Sequence, residues 1–210
     1  MKNRVSEATK QRVATLLVQR GLLKFAAKGG KGFILKSGLE SPFYIDLRET
    51  QSHPDLFHAV TDAYCELIGS VPKGYKISGI PEAGTPLATA VGFQMHVPLI
   101  QPRKVIKDHG MGRSIEGVFK KGDSVIVIDD LITRGDSKLQ AAQQFTDNGL
   151  IVDRFAVLIN REQGGVEMLA DAGVRVDSVM GIRELINRVN EEGLITSEQT
   201  NTVIGFIESN

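Results

Sequence analysis

Two adjacent carboxylates stand beside a turn of small and hydroxyl-bearing residues near the middle of the chain. Asp129 and Asp130 end the apolar segment 124–130, and the turn 133–137 (TRGDS) then opens a helix-like pattern. Glycine lets the backbone approach a ligand closely, hydroxyl groups donate hydrogen bonds, and the unpaired N–H groups at a helix start attract anions. The turn can therefore hold a phosphate, while the two acids suit sugar hydroxyls or a hydrated Mg²⁺.

The same residues also have a purely structural interpretation, in which the acids are a polar strand end and the turn caps a helix. The segment is not a P-loop, because GxxxxGK[ST] is absent, and it does not match the dinucleotide-binding pattern GxGxxG. Taken alone, these residues leave both interpretations open.

A cationic segment lies one strand-helix unit before this turn. Residues 101–113 carry Arg103, Lys104, Lys107 and Arg113 against one acid, Asp108, which gives the segment a net charge of +3 in a chain with no net charge. Its glycines and low apolar content predict a mobile, exposed loop, and long loops in compact domains are usually functional. A solvated run of charges is the alternative. Next to a phosphate-binding turn, however, such cations can close over a diphosphate leaving group and exclude water.

The apolar pattern predicts the scaffold that brings these segments together. The chain begins with an amphipathic helix over 6–20 and two short strand-like runs, 32–38 and 41–48. Strands are then predicted at 75–80, 97–100, 124–130, 151–160 and 174–181, helices at 85–95, 136–148 and 165–172, and two amphipathic stretches at the end. This alternation predicts an α/β fold with a parallel sheet flanked by helices, where ligands bind at the carboxyl ends of the strands. We expect a single domain over residues 1–210, with a cap over about 1–50 and the α/β core over about 51–210.

The composition argues against several classes of protein. Lys+Arg and Asp+Glu are both 25, so the overall charge favours neither nucleic acid nor an anionic membrane. Cys65 is the only cysteine, which leaves no disulfide framework or cysteine-rich zinc site, and the surrounding AYCELI pattern is typical of a core helix. The charged N-terminus lacks the apolar stretch of a signal peptide or membrane span. We therefore expect a cytoplasmic protein that binds neither nucleic acid nor membranes.

Several segments resemble the orotate phosphoribosyltransferases, a family of type I phosphoribosyltransferases. Residues 125–137 are similar to the type I motif for phosphoribosyl pyrophosphate (PRPP): four apolar residues, two acids, an apolar pair, a threonine and a Gly/Ser-containing loop. RKVIKDHGMGRSIEG (103–117) resembles the catalytic loop of the orotate enzymes, with a pattern like RKxxKDHGxGxxxxG. LLKF…GFILKSGLESPFYIDLR (22–48) resembles their substrate segment, and VLINREQGG (157–165) resembles their orotate-binding strand end.

The resemblance implies a type I phosphoribosyltransferase-like parallel sheet flanked by helices, with a small N-terminal hood and a long mobile catalytic loop. It implies that Arg103, Lys107 and His109 contact PRPP and that Lys104 does so across a dimer interface. The other implied contacts are Lys36 near the diphosphate, Tyr44 and Ile45 at the orotate ring, Thr133 and Arg161 at orotate, and Asp129, Asp130, Leu131, Ile132, Thr133, Arg134, Gly135, Asp136 and Ser137 around the ribose phosphate.

Three segments depart from the family pattern. Many bacterial members have a PRPP-contacting lysine before a glycine, where this chain has Glu82 and Ala83 before Gly84, although other members also lack that lysine. Arg134 and Asp136 are bulkier than the residues often found in the phosphate loop, which is tolerable because phosphate contacts there are largely with the backbone. The connection KFAAKGGKGF (24–33) is slightly longer than usual.

Arg161 decides the choice of base in this interpretation. A guanidinium offers a planar fork of donors that matches the carboxylate by which orotate differs from uracil. The alternative is a surface arginine in a turn after the strand 151–160.

The implied activity is Mg²⁺-dependent transfer of ribose 5-phosphate from PRPP to orotate, in pyrimidine (UMP) biosynthesis. Mg²⁺ would be held mainly through PRPP oxygens and water near Asp129 and Asp130, with no direct protein ligand. A homodimer is expected, in which the loop 101–113 reaches the neighbouring subunit's site, and we expect the transferase alone, without a fused orotidylate decarboxylase domain. The alternatives are a phosphoribosyltransferase for another base and a non-catalytic regulator that senses PRPP or nucleotides on the same fold. Lys36 and Arg161 argue against the first, and the intact basic loop argues against the second.

Overall fold

The N-terminal part of the chain forms one helix and two small antiparallel sheets. The computed structural model describes residues 5–27, 30–35, 38–103 and 114–209. Helix α1 (Glu7–Gln19) is followed by strands β1 (Leu23–Phe25), β2 (Phe33–Ile34), β3 (Glu40–Ser41) and β4 (Phe43–Ile45), and then by a 3₁₀ helix (Leu47–Ser52). Strand β1 pairs with β4 and β2 pairs with β3. Ser6 caps α1 by accepting a hydrogen bond from the backbone N–H of Thr9, which fixes where the helix begins.

The rest of the chain alternates between strands and helices around a four-stranded sheet. Its elements are α2 (Pro54–Ile68), β5 (Lys76–Gly79), α3 (Gly84–Met95), β6 (Gln101–Pro102), β7 (Ile115–Glu116), β8 (Ser124–Ile132), α4 (Asp136–Asp147), β9 (Ile151–Asn160), α5 (Gly165–Asp171), β10 (Arg175–Gly181), α6 (Ile182–Glu191) and α7 (Ser197–Glu208). The strand order is β10-β9-β8-β5, and every neighbouring pair in this sheet is parallel. The predicted parallel α/β fold is confirmed.

The sheet is apolar because helices cover it. Strands β8 and β9 carry unbroken runs of buried residues, as expected of parallel strands that pack on both faces. Helices α2 and α3 pack against the sheet, as do α4 and α5, and α6 follows β10 directly. A large cluster of buried residues joins α1, α2, α6 and the N-terminal strands, so the N-terminal elements share the main hydrophobic core.

Two glycines bring the backbone of β5, α3 and β8 into direct contact. A Cβ atom built at Gly84 would overlap the carbonyl oxygen of Ile128, and one built at Gly79 would overlap the backbone of Gly84. The turn after β5 therefore lies directly against the end of β8, where the two acids are.

The prediction of a strand over 97–100 was wrong. Only Leu99 forms a parallel bridge, to Ile77, and regular pairing begins at β6, which joins β7 rather than the main sheet. The prediction for 124–130 was too short, because β8 continues to Ile132 through its pairing with β9. In the described ranges, no helix is long and apolar enough to cross a membrane.

Candidate active site

The paired acids lie near the carboxyl end of β8, at the centre of the sheet. Asp129 is opposite Val157 of β9, and the hydroxyl of the fully buried Tyr64 on α2 donates a 2.7 Å hydrogen bond to the Asp129 carbonyl oxygen. One strand over, the Ile80 N–H donates to the carbonyl of Ile128 at 3.0 Å. The backbone that carries the acids is thus held from two sides.

The two carboxyl groups have different surroundings. Asp129 is buried, and its Oδ2 lies 2.7 Å from Nζ of Lys138, a lysine of α4 that is itself only 2% exposed. Asp130 is half-buried, and its Oδ1 accepts a 2.7 Å hydrogen bond from the backbone N–H of Leu131. Burial, together with the negative charge of Asp129, raises the pKa of Asp130 from its ordinary value to about 6. Asp130 is therefore a carboxyl whose charge changes close to neutral pH.

The turn after β8 leaves the start of α4 open to a ligand. Gly135 is the N-cap residue, with φ of 92°, a conformation that favours glycine. Gly135 has no side chain with which to cap the helix, so within the described residues the first turn of α4 has no side-chain cap. Thr133 is half-buried, whereas Arg134, Asp136 and Ser137 are exposed. This arrangement suits an anion that approaches from solvent.

The segment between β5 and α3 borders the acids. Gly84 meets the backbone of Ile128 and Asp129, as described above, and its N–H donates to the carbonyl of Ile80 at 2.9 Å. Ala83 is half-buried and Glu82 is exposed. The structure therefore brings Glu82 and Ala83, which stand where the resemblance places a PRPP contact, to the same edge of the sheet as the acid pair.

Arg161 follows the last residue of β9 and is buried. Its backbone N–H donates to the carbonyl of Ile132 at 2.9 Å, so the arginine lies beside the turn 133–137, which we call the phosphate turn. The guanidinium lies over the ring of Phe43, 5.0 Å from its centroid, and the residue is 8% exposed. Its Nη2 finds no hydrogen-bond partner in the described part of the chain, and neither does the buried Oε1 of Gln163. Burial lowers the pKa of Arg161 from its ordinary value. A buried cation with an unused donor is suited to an anionic ligand.

Strand β4 forms a wall beside Arg161. Phe43 packs beneath the guanidinium and makes an edge contact with Phe206 of α7. Tyr44 is half-buried and stacks on Phe33 with centroids 5.7 Å apart. Ile45 points into the main hydrophobic core. Of the two residues expected at the base ring, Tyr44 therefore has the accessible side chain, and Ile45 can contribute only through its backbone.

The two ends of the basic segment are joined at its base. Arg103 donates its backbone N–H to the carbonyl of Ser114 at 2.8 Å, and its guanidinium pairs with Glu116. From α4, Gln144 Nε2 donates to the carbonyls of both Arg103 and Ser114, at 3.2 and 3.1 Å. Asn148 Nδ2 adds a 2.7 Å hydrogen bond to Ser114 Oγ. The helix that starts at the phosphate turn thus also holds the stems of the basic segment.

Four predicted site residues lie outside the described residues. They are Lys36, Lys104, Lys107 and His109. Of the cations predicted to contact PRPP, Arg103 is described, and it is paired with Glu116.

Sequence reasoning missed Lys138 and Gln144. Lys138 shares a helix face with Ala141, Ala142 and Phe145, which are all buried, so a charge on an apolar helical stripe was a usable signal. Gln144 had no such signal, because its role depends on the path of two distant chain segments.

The residues near the acids do not form a metal cage. No group of three or more His, Cys, Asp or Glu side chains that could hold a metal ion occurs within the described ranges. Lys138 occupies one oxygen of Asp129, which leaves the half-buried Asp130 as the carboxylate that could accept a hydrogen bond from a hydrated cation. Mg²⁺ fits this site only if most of its ligands come from substrate and water.

Relatives of known function match most of the chain, although no family model matches it. It is 37% identical over 171 residues to orotate phosphoribosyltransferase of Lactobacillus johnsonii, covering 80% of this chain and 81% of that protein. It is 34% identical over 179 residues to uridine 5'-monophosphate synthase of Bos taurus, covering 85% of this chain but 37% of that protein. The chain therefore spans about a third of the length of some relatives, a bifunctional enzyme of Nostoc among them.

Solved structures also match most of the chain. UMP synthase of Leishmania donovani superposes with a TM-score of 0.85 at 32% identity, covering 98% of this chain and 43% of that chain. An orotate phosphoribosyltransferase of Mycobacterium tuberculosis in complex with PRPP superposes with a TM-score of 0.65 at 27% identity, covering 84% and 98%. With a 37% identical relative that it matches over four fifths of both proteins, the chain belongs to the orotate phosphoribosyltransferase family.

Proposed function

We propose that the chain transfers the 5-phosphoribosyl group of PRPP to orotate, giving orotidine 5'-phosphate and diphosphate on the route to UMP. The observation that carries the proposal is the meeting of three groups at adjacent strand ends. A carboxyl pair lies near the end of β8, an uncapped helix start follows that strand, and a buried guanidinium with an unused donor follows β9. These groups match a phosphate, a ribose and an anionic base.

The ribose 5-phosphate would bind at the turn 133–137. Backbone N–H groups at the start of α4 donate to its oxygens, and the hydroxyls of Thr133 and Ser137 add further donors. Neighbouring Leu131 and Ile132 continue the strand, so they position the turn rather than bind through their side chains. Arg134 and Asp136 are exposed and leave the backbone accessible.

The reaction exchanges one bond at the anomeric carbon. The N1 nitrogen of orotate forms a bond to C1 of the ribose as the bond from C1 to the diphosphate oxygen breaks; the electron pair leaves with diphosphate, and the proton of N1 is released to diphosphate or solvent. The ring acquires positive charge in the transition state, and an ionised carboxylate near its hydroxyls stabilises that charge. Positioning of both substrates supplies much of the remaining effect.

Negative charge develops on the departing diphosphate, so cations must meet it. We assign this role to Arg103, Lys104, Lys107 and His109, with Lys36 also near the diphosphate. When bound, Mg²⁺ would neutralise part of the same charge. Arg103 would have to exchange its partner Glu116 for the ligand, and this exchange is possible because the pair is partly exposed to solvent.

Arg161 would select the base. Its guanidinium can pair with the orotate carboxylate, with Tyr44 beside it on the wall formed by β4. Uracil would leave this buried cation unpaired, which is the situation in which a polar site discriminates strongly.

The assembly and location that we propose are a homodimer in the cytoplasm. In this dimer the loop 101–113 serves the neighbouring subunit's site, so that Lys104 and the acid pair of one site come from different subunits.

A substrate panel tests the proposed function. The purified protein is mixed with PRPP, Mg²⁺ and orotate, and the loss of orotate absorbance is followed. Uracil, hypoxanthine and adenine are then offered in its place. We expect turnover with orotate alone, and turnover only with another base would contradict the choice of substrate. Binding of PRPP without turnover of any base would instead identify a sensor of nucleotides.

A further inference from the structure

Lys138 is a buried cation inside the candidate site. It projects from the first turn of α4 on the same face as Ala141, Ala142 and Phe145. Its Nζ donates to Asp129 Oδ2 at 2.7 Å and to the carbonyl oxygen of Leu131 at 2.6 Å. Both acceptors belong to β8, so the lysine ties the start of α4 to the strand that carries the acid pair.

Stability alone does not explain this ion pair. Burying two charges is costly, and apolar residues of similar size are often as stabilising as the pair they replace. A methionine would continue the apolar face of α4 without any such cost. The ion pair is therefore better explained by its effect on the charge and position of Asp129 and Asp130 than by a contribution to the stability of the core.

The pair distinguishes the two neighbouring acids. Asp129 is buried, with one carboxylate oxygen held by Lys138, whereas the half-buried Asp130 accepts a hydrogen bond from the adjacent backbone N–H of Leu131. Two free carboxylates side by side would also repel a ligand that carries several phosphate charges. Lys138 offsets the charge of Asp129 through their ion pair.

We infer that Lys138 is a positioning residue, which withdraws Asp129 from the ligand and leaves Asp130 as the carboxylate that meets the ribose hydroxyls. This inference rests on the proposed function. It assigns different roles to the two acids, which the sequence motif treats alike. Asp129 orients the strand end through Lys138, and Asp130 contacts the sugar.

A double-mutant cycle tests the inference. Asp129→Asn and Lys138→Met each leave one buried charge without its partner, and we expect each to lower kcat/KM for PRPP by about 10-fold or more. Their combination removes both charges and should recover kcat/KM to within about threefold of the wild type. Asp130→Asn should lose about 100-fold, and adding Lys138→Met should not rescue it. A combined variant that stays as inactive as Asp129→Asn would show that Asp129 itself meets substrate.

Sugar binding provides a second measurement that needs no turnover. Ribose 5-phosphate is compared with its 2-deoxy and 3-deoxy analogues by calorimetry. We expect Asp129→Asn to keep the wild-type preference for the full sugar and Asp130→Asn to lose it for at least one analogue. The reverse result would overturn the inference. If the wild type binds these sugars but does not use orotate, the proposed base is wrong. The comparison of the two variants still tests whether Asp129 and Asp130 have different roles.

A second buried lysine serves as the matched control. Lys10 of α1 is 4% exposed and its Nζ lies 2.8 Å from Glu184 of α6, and neither helix carries a predicted site residue. Lys10→Met should change Tm but leave kcat/KM for PRPP unchanged. An equal loss of activity in Lys10→Met and Lys138→Met would reduce the role of Lys138 to general stability.

Discussion

At the scale of single residues, the proposed function assigns recognition of the base and recognition of the sugar to different side chains. Arg161 lies beyond the end of β9 with a guanidinium donor that no described residue uses. Asp130 lies on β8 with a carboxyl that burial and its neighbour keep partly protonated near neutral pH. The role of Arg161 can therefore be tested by changing the base, and the role of Asp130 by changing the sugar.

Arg161→Ala should lower kcat/KM for orotate by on the order of 10³-fold, because it removes a charge-assisted pair in a buried site. Arg161→Lys should recover little, since an ammonium group cannot reproduce the planar fork. Steady-state kinetics measure both, and PRPP affinity should stay within about threefold of the wild type. Wild-type orotate kinetics in Arg161→Ala would remove the basis for the choice of orotate.

Asp130 should make stability depend on pH in a defined direction. Its pKa is about 6 in the folded protein against an ordinary value of 3.8, so the folded state holds this proton more tightly than the unfolded state. The group is therefore a destabilising influence above pH 6, and that influence fades as the pH falls from 6 towards 4. Asp130→Asn should raise Tm at pH 8, with the gain shrinking by pH 4.5. Calorimetry at both pH values checks this, and a lower Tm at pH 8 would contradict it.

The residue scale also shows the limit of sequence reasoning. Asp130 and Arg161 could be predicted because acids at a strand end and a cation after the next strand form a recognisable pattern. Lys138 could not be assigned a partner, because a lysine in a helix usually lies at the surface and only the packing of α4 on β8 brings it to Asp129.

At the scale of elements, α4 connects two parts of the site. It begins at the turn 133–137, and Gln144 in its last turns and its C-cap residue Asn148 hold the stems of the basic segment. A rigid helix keeps these two parts at a fixed separation, about 1.5 Å per residue along its axis.

Gln144→Leu should lower kcat by about 10-fold with little change in KM for orotate, because it releases both stems without touching the base. Gln143→Leu is the matched control, since Gln143 is exposed and pairs with Asp147 on the same helix. Kinetics and Tm are measured for both variants. Equal losses in the two would indicate a weakened helix rather than loosened stems.

Elements with strong patterns could be predicted closely. Strands β8 and β9 were found because runs buried on both faces leave continuous apolar segments, and α3 and α4 because their apolar residues recur at helical spacing. The segment 97–100 was misassigned because four residues do not show whether a partner strand is available. Its single bridge at Leu99 depends on the end of β5, which local sequence does not encode.

At the scale of the whole molecule, the fold could be predicted because alternating strands and helices admit few parallel topologies. The shared site between subunits is a separate question, since the pairing of subunits depends on surface shape rather than on periodicity. A complementation experiment addresses it directly.

Two inactive variants should restore activity when mixed if sites are shared. In a mixed dimer of Lys104→Ala and Asp130→Asn subunits, one site combines the intact acid of one subunit with the intact loop of the other. Random exchange of equal amounts should recover up to about a quarter of the wild-type activity, since half of the dimers would carry one good site. Subunit exchange is followed by native mass spectrometry of tagged subunits. Demonstrated exchange with no recovered activity would rule out the shared site.

The glycine contact between β5, α3 and β8 has a consequence for how this protein can evolve. Any side chain at Gly79 or Gly84 would collide with backbone atoms, so neither glycine beside the acids can be replaced without moving the backbone. The adjacent Ala83 already carries a Cβ atom and is half-buried. During evolution the side chain that this turn presents to a ligand can therefore change while the backbone path stays the same. A library of all substitutions should contain almost no active variants at positions 79 and 84 but many at position 83.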